Sequence, residues 1–556
     1  MSVGSAKRTE AVPKPELSLF DSTCIIVGVI IGSGIYETSP KIAAAASGIA
    51  QQLQEFWPWL GRLVAEQGWA AWLICDASLI IGVWLLGGLL SLIGALCYAE
   101  LANAYPKSGG DYVYITKGFG REMGFLFAWA QLWVVRPASI GMYAYIFARY
   151  ANRICPLPEQ WNPFMIYAAG AILVLTLINM LGVMMGKWTQ NVLTVLKVIG
   201  LVAIVVVGLW ASPSNALPEE PVGPWCNLGL AMILVFYTYG GWNEMAYVAA
   251  EVRNPRKNIL RALVLGTVAV AAIYALVNLA FIRALGVVNF RSSQAVAADV
   301  LDLVVRPWGG KIISILICIS TFGAINGMIF TGARIYYAMG TDHRMYRWLG
   351  SWDPQRGVPI VSLIAQGVVT LLMVIGFGWQ ASLPAAEEKP EQTAAVVAPA
   401  LDAPAAQPEA ANPKQQVANP SPQTKPNSQQ APVETEQQRF HGEKAFDNLL
   451  AFSAPIFWFF FLLVGLSLFA LRALAGVEAG ASGGSQTDLF RVPLYPIIPV
   501  VFCLSCLFML YSSISYAISQ LSAYALWALG IMVLGLLLAW ISQWTPAKPH
   551  RPSSTV

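Results

Sequence analysis

The chain has 556 residues, of which 56% are hydrophobic and only 12% are charged, and its formal net charge is +4. Soluble globular proteins carry about 25% charged residues, so this composition excludes an ordinary water-soluble domain and predicts a chain solvated mostly by lipid. A net charge this small gives no indication of nucleic-acid binding.

The chain begins with a polar tail, residues 1–16, which lacks the apolar core of a secretory signal peptide, so no cleaved leader is expected. Most cysteines lie in apolar stretches, which favours buried, unreactive thiols over a metal site or a disulfide framework. The sequence therefore predicts no metal and no other cofactor.

Apolar segments long enough to cross a bilayer recur along the chain, because a helix needs about 20 apolar residues to span the hydrocarbon core. By this rule the sequence predicts an all-α integral membrane protein with about twelve spans. The first six are residues 19–39, 82–105, 124–150, 163–181, 192–210 and 229–250, and the second six are 260–285, 312–339, 358–378, 449–471, 494–518 and 524–544.

Two insertions divide this pattern. Residues 381–444 are rich in Ala, Pro, Gln and Glu, a composition that cannot bury enough apolar surface to fold, so we expect a disordered outer loop. Residues 42–71 form a second outer-face insertion, which is richer in Trp and Leu and compatible with a short interfacial helix. The expected organisation is a core of spans one to nine (17–380), spans ten to twelve (445–545) and a C-terminal tail (546–556).

Lysine and arginine concentrate in the even-numbered connections between spans and in both tails. Because basic residues mark cytoplasmic loops, both termini are predicted to lie in the cytoplasm, with the protein in the cell (inner) membrane. The connection between spans seven and eight is also basic, which weakens this pattern without reversing it.

Glycine interrupts two of the apolar spans. Span one contains the triplet Gly32-Ser33-Gly34, and span six contains the pair Gly240-Gly241. Glycine lowers the cost of unwinding a helix, and unwound backbone inside a membrane is costly unless it lines a cavity or holds a ligand. The N–H groups freed at such a break suit a carboxylate, and the freed carbonyls suit an ammonium group or a cation.

Either interruption alone is explained equally well by close packing of helices. The two interruptions, however, fall five spans apart, in corresponding places of two five-span halves, which is the sequence pattern of a transporter site between inverted repeats. Close packing alone is therefore the weaker explanation.

Four stretches carry a family resemblance. They are Gly32-Ser33-Gly34-Ile35-Tyr36 with Ser39-Pro40 in span one, Tyr98-Ala99-Glu100-Leu101 with 106–110 after span two, 239–243 with 251–259 around span six, and Phe322-Gly323, Asn326-Gly327 and Arg334 in span eight. Together with Arg136-Pro137 in span three, they resemble the amino acid–polyamine–organocation (APC) superfamily and, within it, the L-type amino acid transporters. This resemblance implies a LeuT-like fold of five-plus-five inverted repeats with broken spans one and six.

The resemblance also implies a substrate site and a gate. The carboxylate of an amino acid would meet the backbone N–H groups of Ser33 and Gly34 and the Ser33 hydroxyl, and the amine would meet carbonyls of both breaks. The implied substrate-binding set is Ile30, Ile31, Gly32, Ser33, Gly34, Tyr237, Tyr239, Gly240, Gly241 and Asn326. Tyr237 and Trp242 would form the gate, and Tyr237, like Tyr36, stands where the family usually has phenylalanine.

The resemblance implies a secondary transporter that moves L-amino acids by alternating access. Transport would be independent of sodium and would occur by exchange or by proton symport. Neutral substrates are favoured. A cationic amino acid or polyamine permease is the alternative, because Glu244 follows the span-six break and would favour a cation if it faced the cavity. A membrane enzyme would need an intramembrane histidine or carboxylate cluster, which the sequence does not show, so no catalytic residue is expected. A membrane sensor, the alternative from another class, would need a folded signalling domain, and no segment of the sequence resembles one.

Lys197 lies about ten residues into span five, roughly 15 Å deep in a core of about 30 Å. At this depth the ammonium cannot reach the interface, so it needs protein partners or must lose its charge. In the resembling family a lysine at this place occupies the cavity in which sodium-coupled relatives bind a cation. The resemblance thus implies a coupling role, with contacts to span-one carbonyls and to the hydroxyl of Ser320 or Thr321; the alternative is a structural tie between spans one and five.

Cys155 lies in the outer loop between spans three and four. In animal L-type carriers a cysteine in this loop links the carrier to a single-span glycoprotein, so the resemblance admits an accessory chain through Cys155. A free thiol and a disulfide with Cys226 are the alternatives.

Overall fold

The structure is a computed structural model, and it describes residues 13–47, 54–55, 75–211, 228–382, 436–482, 490–519 and 523–543. Within these ranges the chain is almost entirely helical, and its extended pairings are two isolated bridges. The helices are α1 (Leu19–Ile30), α2 (Gly34–Glu37), α3 (Ser39–Ala46), α4 (Asp76–Ala104), α5 (Asp111–Phe119), α6 (Arg121–Ala130), α7 (Arg136–Ile154), α8 (Pro163–Met180), α9 (Val183–Trp210), α10 (Leu228–Thr238), α11 (Glu244–Tyr247), α12 (Pro255–Ser292), α13 (Val296–Val305), α14 (Gly309–Asp342), α15 (Ile360–Ser382), α16 (Glu436–Ser482), α17 (Ile497–Ser519) and α18 (Ala523–Gln543).

Nine helical segments of the described ranges are long and apolar enough to cross a membrane. Two shorter apolar helices, Gly229–Thr238 and Leu526–Ile541, lie where spans six and twelve are predicted. Span three is divided by a π-helical turn, Gln131–Val135, between α6 and α7. The structure therefore confirms the all-helical membrane architecture, whereas the count of twelve spans stays a prediction.

The two predicted insertions are described only at their edges. α16 begins at Glu436, so the last residues of the segment predicted to be disordered are helical. Extending an existing helix adds one hydrogen bond per residue without a new nucleation cost, which explains why a polar sequence continues span ten. α3 covers the start of the insertion 42–71. The remainder of both insertions, 48–53 with 56–71 and 383–435, lies outside the described residues, as do 1–12 and 544–556.

Span one forms the centre of the bundle. In its apolar window 83% of the residues are buried, compared with 28% in the window of span five, so span one has little contact with lipid. α1 packs against α9, α12 and α14. The two glycine-interrupted segments also meet, since α10 packs against α2 and α3.

A capping box begins span one. The Ser18 hydroxyl accepts from the Asp21 N–H at 3.2 Å, and the Asp21 carboxylate accepts from the Ser18 N–H at 2.9 Å. This reciprocal arrangement satisfies two N–H groups that a helix start leaves unpaired. Asp21 also accepts from Asn191 at 2.7 Å and from the Lys187 ammonium at 3.3 Å, so the start of span one is tied to span five.

The basic connections lie together at one end of the bundle. Leu17 pairs with Val252, which follows the second half of span six, in a parallel bridge. The Val183 N–H, between spans four and five, donates to the Arg356 carbonyl, between spans eight and nine, at 3.0 Å. The N-terminal segment and three even-numbered connections therefore share one end of the molecule.

Candidate functional site

The backbone of span one leaves the helix where the glycines predict a break. α1 ends at Ile30 and α2 begins at Gly34, and the Gly32 N–H donates to the Ile30 carbonyl at 2.8 Å in a tight turn between them. Within the described ranges, no backbone acceptor faces the N–H groups of Ser33 and Gly34. These groups start a helical half, where aligned peptide dipoles favour an anion.

Tyr143 of α7 forms the wall of the break beside Gly32. A Cβ at Gly32 would lie 2.5 Å from Cε1 and 3.0 Å from the hydroxyl of Tyr143, so only glycine allows this approach. The sequence analysis did not select Tyr143. Its position about two helical turns after Arg136, on the same face of α7, is the signal that identifies it.

The Lys197 ammonium lies on the backbone of the span-one break. It donates to the carbonyls of Gly28 at 2.7 Å, Ile31 at 2.8 Å and Ser320 at 2.9 Å, and the side chain is fully buried. An ammonium has three N–H donors, so these three acceptors satisfy it. Gly323 permits this position, because a Cβ there would lie 2.9 Å from the Lys197 Nζ.

Span eight contributes differently from the expectation. Lys197 contacts the carbonyl of Ser320 and no span-eight hydroxyl. The Ser320 hydroxyl instead lies 3.0 Å from the carbonyls of both Ile31 and Gly32, and the Thr321 hydroxyl bonds within its own helix. The ammonium therefore binds carbonyl dipoles, as a small cation would.

Metal coordination has no support in the part of the chain that the structure describes. No three His, Cys, Asp or Glu side chains come together there in an arrangement that could hold a metal ion. The positive charge at the span-one carbonyls is that of Lys197.

Span six breaks between α10, which ends at Thr238, and α11, which begins at Glu244. The Tyr274 hydroxyl of span seven connects both breaks, since it lies 3.0 Å from the Ile30 carbonyl and 3.3 Å from the Thr238 carbonyl. The hydroxyls of Thr238 and Thr38 are 2.9 Å apart. The sequence analysis did not select Tyr274 of span seven.

Gly241 holds the two breaks together. Its φ is +110°, and a Cβ there would lie 2.6 Å from Cγ1 of Val29. Both the left-handed backbone and the close approach require glycine.

We expect Gly241→Ala to reduce the yield of monodisperse protein and its thermal stability, because the new methyl group must push span one away from span six. The strained φ alone costs about 1–2 kcal/mol. Gly82→Ala is the control, since a Cβ at Gly82 meets nothing within 4 Å. The measurement is fluorescence-detected size exclusion after heating, and equal stability of the two variants would contradict the assigned role.

The three aromatic residues expected at span six take different positions. The Tyr237 ring meets the Phe446 ring edge-on at 6.1 Å, beside the break. The Tyr239 hydroxyl donates to the Trp84 carbonyl at 3.1 Å, so this side chain is hydrogen-bonded to span two. Trp242 packs edge-on against Tyr98 at 5.0 Å and contacts spans ten and eleven. The structure thus leaves Tyr237 as the candidate gate and makes Trp242 an anchor in an aromatic cluster.

Asn326 uses both of its amide protons in contacts within the protein. Its amide donates to Gln190 at 2.9 Å and to the Gly186 carbonyl at 3.2 Å, and its oxygen accepts from Asn179 at 2.9 Å. These bonds join spans four, five and eight, and the expected substrate contact of Asn326 stays a prediction.

A buried ion pair lies directly after the span-six break. The Arg136 guanidinium donates to both Glu244 carboxylate oxygens, at 2.8 and 2.9 Å, and the Thr331 hydroxyl also donates to this carboxylate. The side chains of Arg136 and Glu244 are only 4% and 7% exposed. A buried charge is tolerated when it is paired and hydrogen-bonded, so Glu244 is not a free anion at the break.

Ion pairs lie on both sides of the breaks. Toward the end that carries the basic connections, the Arg334 guanidinium donates to both oxygens of Glu251, at 2.8 Å each, in complete burial. On the other side, Glu37 at the end of α2 pairs with Arg149 of α7. Each pair joins a segment adjoining a broken span to a neighbouring helix.

Comparisons with known proteins place this geometry in a family. A model of the amino acid permease family matches residues 17–538. The b(0,+)-type amino acid transporter 1 of Mus musculus is 31% identical over 371 residues, which cover 65% of this chain and 70% of that protein. The large neutral amino acids transporter small subunit 2 of Homo sapiens is 31% identical over 380 residues, which cover 65% of this chain and 64% of that protein. These matches confirm the resemblance identified in the sequence, and the chain is a member of the amino acid permease family.

Proposed function

We propose that this amino acid permease is a secondary transporter that moves neutral L-amino acids by alternating access and without sodium. The observation that carries the proposal is the span-one break, where the N–H groups of Ser33 and Gly34 lack backbone acceptors and Lys197 holds the adjacent carbonyls. Such a break offers a place for a carboxylate, and the lysine supplies the charge that a bound cation would provide.

Uptake of radiolabelled leucine and glutamine into proteoliposomes tests this function. We expect saturable uptake that unlabelled neutral L-amino acids inhibit more strongly than lysine does, and none in protein-free liposomes. Preloading with unlabelled leucine distinguishes exchange, which preloading accelerates, from proton symport. Uptake of neither amino acid, or inhibition only by lysine and polyamines, would refute the proposal.

The substrate amine has fewer available carbonyls than the resemblance implied. The Ile30 carbonyl already accepts from the Gly32 N–H and the Tyr274 hydroxyl, and the Ile31 carbonyl accepts from Lys197 and the Ser320 hydroxyl, so both lone pairs of each oxygen are in use. We therefore assign the amine mainly to the span-six carbonyls of Tyr237 and Gly240. The carboxylate is assigned to the N–H groups of Ser33 and Gly34, and Tyr237 closes over the bound substrate.

The charge at the site favours a neutral substrate over a cationic one. Glu244, the residue that would attract a cation, is neutralised by Arg136. Glu37, which lies at the end of α2, is paired with Arg149. A lysine or polyamine substrate would have to displace one of these arginines, which leaves a buried guanidinium uncompensated.

We assign the end with the basic connections to the cytoplasm of the cell membrane. The contacts between Leu17 and Val252 and between Val183 and Arg356 support this assignment, because they gather the basic connections at one end. Glu251 and Arg334 then close the inner side of the site, and Glu37 and Arg149 close the outer side.

Cys155 is exposed at the end of α7 and forms no disulfide with another described residue, and its potential partner Cys226 lies outside the described residues. We expect natively purified protein to react with a maleimide at Cys155 and to run as a single chain in non-reducing electrophoresis. One relative is named a small subunit, so a second chain is the alternative to test. A covalently attached second chain that disappears in Cys155→Ser would overturn the expectation. Failure of Cys155 to react with maleimide in a protein without a second chain would indicate a disulfide with Cys226.

A further inference from the structure

The hydroxyl of Tyr237 is a buried polar group with nothing to bond. Its oxygen is shielded from solvent and has no hydrogen-bond partner among the residues that the structure describes. Buried hydroxyls in folded proteins are nearly always hydrogen-bonded, because an unpaired one loses its hydration without compensation. An unpaired hydroxyl next to a ligand site therefore marks where a group of the ligand, or a water molecule, is bound.

Tyr237 lies beside the two breaks to which the substrate is assigned. Tyr237 is the next-to-last residue of α10, directly before the span-six break. The next residue, Thr238, lies against the span-one break, since a Cβ at Gly34 would be 2.9 Å from its Cγ2. Tyr143 faces Gly32 of the span-one break, and Glu37 ends the helix that starts at Gly34. Tyr237 thus lies where the two breaks meet, with its ring against Phe446 of span ten.

The charged groups around this point are already paired. Glu37 contacts Arg149, Glu244 contacts Arg136, and Lys197 is satisfied by carbonyls. The surroundings of Tyr237 are therefore polar without a free charge. They fit the side chain of a neutral amino acid that can form a hydrogen bond.

We propose that the Tyr237 hydroxyl selects amino acids whose neutral side chain carries a hydroxyl or a carboxamide over apolar side chains of the same size. The proposal rests on the proposed function, since the amino acid must lie at the two breaks. A phenol both donates and accepts a hydrogen bond, so it serves either group. An apolar side chain leaves the phenol unpaired, and a site built to bond a polar group discriminates against the analogue that lacks it.

The test compares initial uptake rates of two near-isosteric pairs, threonine with valine and asparagine with leucine, in proteoliposomes. In the parent protein we expect the polar member of each pair to be taken up at the lower KM. Tyr237→Phe removes only the oxygen and keeps the ring against Phe446. Loss of one neutral hydrogen bond should lower the threonine-to-valine and asparagine-to-leucine ratios roughly three- to tenfold, mainly through KM.

Tyr145→Phe is the matched control, because the Tyr145 hydroxyl donates to the Val374 carbonyl at 2.6 Å and serves helix packing. Its uptake ratios should equal those of the parent. The inference would be overturned if the parent protein preferred valine and leucine, or if Tyr237→Phe left the threonine-to-valine and asparagine-to-leucine uptake ratios unchanged. In either case, saturable uptake of these amino acids would still support the proposed function. Absence of saturable uptake for all four amino acids would refute the function and the inference together.

Discussion

Lys197→Met is expected to reduce amino acid uptake roughly tenfold or more, whereas replacing sodium by choline should leave uptake by the parent protein unchanged. The Lys197 ammonium donates to the carbonyls of Gly28, Ile31 and Ser320 at 2.7 to 2.9 Å. Methionine fills a similar volume but donates no hydrogen bond, so three carbonyls would face an apolar side chain in a buried place. The backbone of the span-one break would then lose the ammonium group that binds its carbonyls.

The sodium independence follows from the same contacts. A sodium ion binds carbonyl oxygens, and the Lys197 ammonium already occupies the carbonyls of the break with a tethered positive charge. If this ammonium releases its proton when the site opens to one side, transport is coupled to protons. Acidification inside proteoliposomes during leucine uptake would report that coupling.

Lys311→Met is the control for this substitution, because Lys311 is exposed and its ammonium lies over the Trp308 ring, 5.2 Å from the ring centre. Size exclusion of each variant separates a loss of transport from a loss of folding. Uptake that follows the sodium gradient would refute the role of Lys197 as a substitute for a cation. A fully active Lys197→Met protein would refute the structural tie as well.

Removing one partner of the Arg136–Glu244 pair is expected to destabilise the protein far more than removing both. The guanidinium and the carboxylate are buried and hydrogen-bonded to each other at 2.8 and 2.9 Å. Arg136→Met or Glu244→Gln leaves one uncompensated buried charge, which costs about 3–5 kcal/mol. The double variant leaves no charge, and we expect most of that loss to be recovered.

Thermal stability of the purified single and double variants measures this coupling. Arg136→Met should also make lysine a better inhibitor of leucine uptake, because it exposes the Glu244 carboxylate at the break. A double variant whose loss of stability equals the sum of the two single losses would show that the two residues act independently. Unchanged inhibition by lysine in Arg136→Met would contradict the argument that Arg136 keeps the site neutral.

The positions of the two breaks were predictable from the chain alone. A Gly-Ser-Gly triplet and a Gly-Gly pair in apolar spans have few explanations, and the structure interrupts both spans there, between Ile30 and Gly34 and between Thr238 and Glu244. The burial of Lys197 among protein partners was equally predictable, because an ammonium in the middle of an apolar span cannot reach water. Such features depend on local geometry.

The partners of the polar side chains were not predictable in this way. Arg136 and Glu244 are far apart in the chain, and nothing local indicates that they meet. Asn326 and Trp242 belong to motifs that suggested a site, yet one bonds spans four and five and the other packs against Tyr98. Tyr143 gained its role only from the close approach of Gly32.

The sequence by itself determined that this protein is helical, lies in a membrane, has two broken spans and belongs to the amino acid permease family. The tertiary structure alone decided which face of each span meets which neighbour, and hence which charges are paired and which hydroxyls stay free. The physical reason is that hydropathy and glycine content act within one helix, whereas the rotation of a helix about its axis is set by packing against its neighbours. The unpaired hydroxyl of Tyr237 and the paired carboxylate of Glu244 are both consequences of that packing.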